Sequence, residues 1–166
     1  MIFRRAEKRA PLLTFERILI PMSGNEADDP SLRLAATVIA GQQAARSAST
    51  VVHLLHVIEV PFDRQLDDED PQAIAFADEI LGRAEDFLTE LHIPVEREVV
   101  QARAAGPAIV DDATAQRADV IVMGLRYKKR FGGSWDAGRT VPYVMRNSTA
   151  PVWCLRAATE ELAQTP

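Results

Sequence analysis

A chain of 166 residues with 47% apolar and 26% charged side chains has the length and mixture of one globular domain. Those proportions exclude long disorder, a collagen-like repeat and a small disulfide scaffold, and a net charge of −5 does not suit a chain that coats nucleic acid. No stretch approaches the roughly 20 apolar residues of a membrane helix. The single cysteine, Cys154, leaves no intrachain disulfide and no multi-cysteine metal site. Basic residues follow Met1 with no apolar stretch behind them, so no secretory signal is expected and the cytoplasm is the expected location.

Residues 1–15 read as a basic tail, with Arg4, Arg5, Lys8 and Arg9 against Glu7. An ordered domain is expected over residues 16–156 and a polar tail over 157–166. Ile18-Leu19-Ile20-Pro21-Met22 is apolar on both faces, as a central parallel strand requires. Pro30-Ser31 then opens a helical stretch with Leu32, Ala35, Ala36 and Ile39 on one face; it fades near Gly41 or Arg46. Thr50 to Ile58 reads as a second strand. The acidic run Leu66-Asp67-Asp68-Glu69-Asp70-Pro71 reads as a solvated face. A long helix follows from about Pro71 to Leu91, with Ala77, Ile80, Leu81, Ala84, Leu88 and Leu91 in one stripe. Val95 to Val100 alternates apolar and charged residues, which suits a strand at a sheet edge. Gly106-Pro107 precedes a helix from about Ala108 to Arg117, with Ile109, Val110 and Ala113 inward. Asp119 to Gly124 is the clearest strand. A glycine-rich basic loop, Leu125 to Gly138, leads to a helix near Val141 to Arg146 and a last strand, Pro151 to Leu155. Five strands alternating with four helices imply a parallel α/β sheet with right-handed crossovers. Ligands in such sheets lie beyond the carboxyl ends of the strands where the order reverses, here the loops Ser23–Pro30 and Leu125–Gly138.

The second of those loops is the stronger candidate. Its glycines let the backbone approach a ligand, Arg126, Lys128, Lys129, Arg130 and Arg139 attract phosphate, and the following helix presents free N–H groups. Thr140 is expected to cap that helix and Pro142 to sit in its first turn. The loop has neither the Walker A nor the dinucleotide spacing. His53 and His56 lie three apart on a strand, point to opposite faces and cannot share a metal, so no metal site is expected. No serine, histidine and acid fall into a catalytic arrangement, and no catalytic residue is expected. Cys154 reads as packing, while Trp135 either stacks on a base or covers apolar surface.

In order and at the right distances, several segments resemble the universal stress protein family over about Glu16 to Leu155. They are Ile18-Leu19-Ile20-Pro21-Met22-Ser23-Gly24-Asn25-Glu26, Leu54-Leu55-His56-Val57, Gly106-Pro107 with Ala118 to Gly124, and Val144 to Val152. The resemblance implies a single-domain, Rossmann-like open sheet of five parallel strands, order 3-2-1-4-5, with helices on both faces. It also implies a homodimer through the last strand and a regulatory role in stress. Some members bind ATP or AMP; others bind no nucleotide. The motif of ATP-binding members runs glycine, two residues, glycine, nine residues, then glycine with Ser or Thr. Gly124 fills the first place, Tyr127 stands at the second, and Gly138 fills the third one residue late. Arg139 replaces the Ser or Thr, with Thr140 next. Ser23 replaces the acidic residue that contacts the nucleoside. By this match, the nucleotide-contacting positions are Pro21, Met22, Ser23, Val57, Met123, Gly124, Gly138, Arg139 and Thr140, with Arg126 gripping phosphate by charge.

Two other readings compete. A related ATP-pyrophosphatase would begin with a phosphate loop like Ser23-Gly24, but its second glycine and later aspartate-serine are missing. A nucleotide-free interaction module would serve a regulatory protein or a membrane transporter, with the basic tail on anionic lipid.

Overall fold

The computed structural model describes residues 13–45, 49–128 and 134–156. Its elements in chain order are β1 (Arg17–Met22), α1 (Asp28–Ala44), β2 (Val51–Glu59), α2 (Pro71–Glu90), β3 (Val95–Ala102), α3 (Ala105–Ala115), β4 (Val120–Gly124), β5 (Arg126–Lys128), β6 (Ser134–Asp136), α4 (Thr140–Asn147) and β7 (Val152–Leu155). Five of the strands form one parallel sheet, in the order β3-β2-β1-β4-β7. With β7 as the fifth strand of the sheet, this is the 3-2-1-4-5 arrangement.

The apolar patterns explain the layering. Side chains alternate across a strand, so β1 sends Ile18 and Ile20 to one face and Leu19 to the other. The first set packs with Val52, Leu54, Val120 and Val122 under α1 and α2. The second packs with Leu55, Ile121 and Met123 under α3 and α4. Ile18, Leu19, Ile20, Leu54, Leu55 and Ile121 are all fully buried, each contributing about 1.5–3 kcal/mol. β3 sits at the sheet edge, as expected, but its exposed residues are Glu96, Arg97 and Val99, not a strict alternation of charged and apolar side chains.

Several boundaries differ from the sequence reading. Phe15 belongs to the domain rather than to the tail: it is buried, its ring meets Trp153 edge-on at 5.0 Å, and its N–H donates to Gln42 Oε1 at 2.7 Å. The segments 1–12 and 157–166 lie outside the described residues. α1 starts at Asp28 and α3 at Ala105, ahead of the expected Pro30 and Ala108, while α2 starts at Pro71 as expected. There Asp70 is the cap, accepting from the N–H groups of Gln72 and Ala73. The acidic run is exposed, yet not idle: besides that cap, the carbonyls of Leu66 and Asp68 accept from Gln101 Nε2. Leu91 drops out of the α2 stripe because the helix ends at Glu90, leaving it 46% exposed. The loop after β4 is not plain coil. β5 and β6 pair antiparallel, with Tyr127 opposite Trp135. Lys129, Arg130, Phe131, Gly132 and Gly133 lie outside the described residues.

Candidate functional site

The carboxyl ends of β1, β2 and β4 open into a cleft of about 470 Å³, closed on its far side by the segment from Asp136 into α4. A parallel sheet forms such a crevice where neighbouring connections leave in opposite directions. From β1 here, the chain crosses to β2 on one side, while β4 pairs on the other.

Nine of the ten expected positions line this cleft: Pro21, Met22, Ser23, Val57, Met123, Gly124, Arg126, Gly138 and Thr140. Arg139 does not. It lines a neighbouring depression with Glu59, Phe62, Arg103 and Tyr143, because it is the residue before α4 and its backbone is already helical. That geometry also corrects the expected cap. Thr140 is the first residue of α4, and Arg139, at the cap position, makes no side-chain cap hydrogen bond. The first-turn N–H groups of α4 lack carbonyl partners within the helix and carry its positive dipole end beside the cleft.

Two glycines have local reasons. A Cβ on Gly124 would stand 2.0 Å from the Ala27 carbonyl oxygen. That close approach is made by the turn after β1, which packs against the end of β4. Gly138 has φ +57° with open space around it, so its need is the left-handed backbone that aims the chain into α4.

Sequence reasoning missed five polar lining residues: Asn25, Asp28, His56, Glu59 and Asp136. Asp28 folds back over the turn after β1, where its carboxylate accepts from Ser23 N–H at 2.9 Å, Ser23 Oγ at 3.0 Å and Gly24 N–H at 2.7 Å. Burial raises its pKa above the ordinary 3.8, and the hydrogen bonds from Gly24 and Ser23 oppose that rise. A carboxylate is thus present beside Ser23, delivered from α1. Glu59 Oε1 takes the Ala105 N–H at 2.7 Å, and Asp136 Oδ1 takes the Gly138 N–H at 3.0 Å. His56 Nδ1 stands 2.9 Å from the Met22 carbonyl oxygen. A carbonyl only accepts, so Nδ1 carries the proton there. An acid soon after the first strand and another at the end of the second were the available signals.

The same contacts settle what the cleft does not resemble. The Ser23 and Gly24 amides are taken by Asp28, so the turn after β1 is not a phosphate loop. Ser23 Oγ donates to the Asp28 carboxylate and not to His56, so the serine does not form a serine–histidine pair. Trp135 is absent from the cleft lining; the Arg156 guanidinium lies over its ring at 5.3 Å. Cys154 is half-buried against the Leu19–Ile121 layer, and burial pushes its thiol pKa up, as expected of packing.

An open five-stranded parallel sheet with a cleft at its strand reversal defines a Rossmann-like nucleotide-fold protein. The chain belongs to the universal stress protein family, whose model matches residues 14–156. No curated protein matches it. Among solved structures it is similar to a universal stress protein from Archaeoglobus fulgidus, at 22% identity and TM-score 0.63, covering 85% of this chain and 93% of that one. A universal stress protein from the same organism in complex with dAMP gives 19% identity and TM-score 0.62, covering 87% and 100%. An Arabidopsis thaliana family protein with AMP bound gives 12% identity and TM-score 0.65, covering 88% and 94%. No helix among the described residues is long and apolar enough to cross a membrane.

Proposed function

We propose that the chain is a regulatory module that takes an adenine nucleotide with a short phosphate chain, AMP above ATP, in the cleft after β1 and β4. The observation that carries this reading is the convergence of eight motif positions and Arg126 on one cavity beside the α4 N-terminus. Family relatives with dAMP and AMP bound support it.

The preference for AMP rests on charge. Among the described lining residues, Arg126 is the one fixed cation against Asp28, Glu59 and Asp136. Those carboxylates already hold the Ser23, Gly24, Ala105 and Gly138 N–H groups. A triphosphate would bring more negative charge to amides that are largely taken, whereas a monophosphate needs only Arg126 and the first turn of α4. Binding would be read out at β7. Leu125, between cleft and ribbon, donates its N–H to the Leu155 carbonyl of that edge strand at 2.7 Å. A homodimer built along the β7 edge would therefore sense an ordered loop. The cleft carboxylates are held by their own backbone and hydroxyl donors, which suits binding rather than turnover.

Thermal unfolding with AMP and ATP tests this. At ligand a hundredfold above Kd, binding adds about 2.7 kcal/mol, or roughly 5–10 °C for a domain of this size. Gly138→Trp should abolish the rise, and native mass spectrometry should show one AMP per chain. The three engaged carboxylates favour a second reading, a nucleotide-free interaction module. No shift with either nucleotide at millimolar concentration would select it.

A further inference from the structure

At the opposite end of the sheet from the cleft, on the side covered by α3, His53 of β2 faces Asp112 of α3 and Glu98 of β3. We infer that these three side chains form a binding site for a divalent transition-metal cation of the zinc or manganese type. The His53 side chain is 3% exposed and that of Asp112 is 8% exposed. Both ring nitrogens of His53 and Oδ2 of Asp112 are buried without a hydrogen-bond partner. Buried polar atoms are normally satisfied, so the two facing orphans, His53 Nε2 and Asp112 Oδ2, call for an absent partner. Nε2 stands 3.2 Å from Asp112 Oδ2 and 3.7 Å from Glu98 Oε2, and the three donor atoms all lie within 4.8 Å of one another. Donors bound to one ion at about 2.0–2.2 Å in a tetrahedral site stand roughly 3.4 Å apart. The His53–Asp112 and His53–Glu98 separations bracket that spacing.

An ion pair between protonated His53 and Asp112 is the competing state. The 3.2 Å approach of Nε2 to Oδ2 lacks hydrogen-bond alignment, so a direct pair leaves both atoms unsatisfied. A cation takes the lone pairs of Nε2 and Oδ2 together. The surroundings then resemble those of a metal-bound imidazole. Glu96 Oε2, itself paired with Arg17, lies 3.9 Å from His53 Nδ1. Gln116 Nε2 donates to Glu98 Oε2 at 3.4 Å and steadies that carboxylate. Glu98 is 43% exposed, which provides an entry path and an open coordination position for water. One imidazole with two carboxylates favours zinc or manganese over calcium or magnesium, which prefer all-oxygen sets. The ion would clip α3 to the edge strand β3. It lies about 13 Å from Val57 of the cleft, four residues along β2, and owes nothing to nucleotide binding. His56 turns to the α2 side, against Phe76, and takes no part in this cluster.

The test is zinc titration of untagged, full-length, chelator-stripped protein, followed by calorimetry and native mass spectrometry. One zinc per chain and a raised unfolding temperature are expected. Glu98→Gln, at the rim and able to fold, should weaken binding at least about tenfold. Asp112→Asn should abolish it, and His92→Gln, in the exposed turn after α2, should leave it unchanged. Crystals soaked with zinc should show anomalous density between the three side chains. Absence of stoichiometric binding at micromolar free zinc, or binding that survives Glu98→Gln and Asp112→Asn, overturns the assignment.

Discussion

β2 carries a histidine toward each end of the sheet, and the two ends treat them differently. At the cleft, His56 donates to the Met22 carbonyl, and Asp28, Glu59 and Asp136 each hold backbone N–H groups. At the α3 end, His53 and Asp112 are more deeply buried and have orphaned atoms. The cleft is therefore complete without a ligand: its shape is held by its own polar contacts, and a ligand is selected by the space and charge left over. The α3 end is satisfied only by something added. Burial of polar groups alone does not mark a site. What separates the two ends is whether the protein supplies the partners.

Substitutions that act on one end and spare the other can break this contrast. The largest effect is expected from Gly124→Ala. Its Cβ would meet the Ala27 carbonyl oxygen, so the turn after β1 must shift, costing about 1–3 kcal/mol. Urea unfolding should show that loss, AMP binding should fall with it, and zinc binding should persist. If zinc binding falls equally, the ends are coupled and the contrast fails. Gly138→Ala comes next. The position is open but left-handed, so about 1 kcal/mol should be lost, seen as a melting point roughly 2–4 °C lower.

A smaller, pH-dependent effect belongs to Asp28. Its native pKa is raised from 3.8 by burial, so the folded state holds that proton more tightly than the unfolded chain. The charge therefore costs stability at neutral pH, and the cost fades as pH falls through the raised value toward 3.8. Measured by denaturant unfolding, wild type should gain on Asp28→Asn as pH falls; a gain as pH rises would contradict this. The smallest effect concerns Cys154. With its pKa raised by burial, the native thiol should react with alkylating agents more slowly than the unfolded chain does.

How much of this was legible beforehand follows from which interactions are local. β1 and β4 were plain because strands buried on both faces read as apolar runs, and β3 because its charged middle, Glu96-Arg97-Glu98, suits an edge. The start of α2 was placed to the residue because a side chain caps it, α4 fell within one residue, and α1 and α3 were placed two and three residues late. Asp70 marks α2, whereas Ala27, Ala104 and Arg139 precede α1, α3 and α4 without a capping side chain. The β5–β6 ribbon escaped because its strands are three residues each, too short for a period to show. The cleft positions at the ends of β1 and β4 were reachable because apolar runs mark where those strands stop, and Gly138 and Thr140 because the glycine motif leads into α4. Asp28 was not, since its reach back to Ser23 depends on where α1 begins. The His53–Glu98–Asp112 cluster joins three elements far apart in sequence, and only the sheet order and the placement of α3 bring them together.

Calorimetric titration of AMP and ATP into the same protein preparation, without magnesium and at matched ionic strength, bears most directly on the cleft. The account predicts one saturable site per chain with AMP tighter than ATP, and loss of both in Gly138→Trp. ATP binding tighter than AMP, or no heat from either, would contradict it.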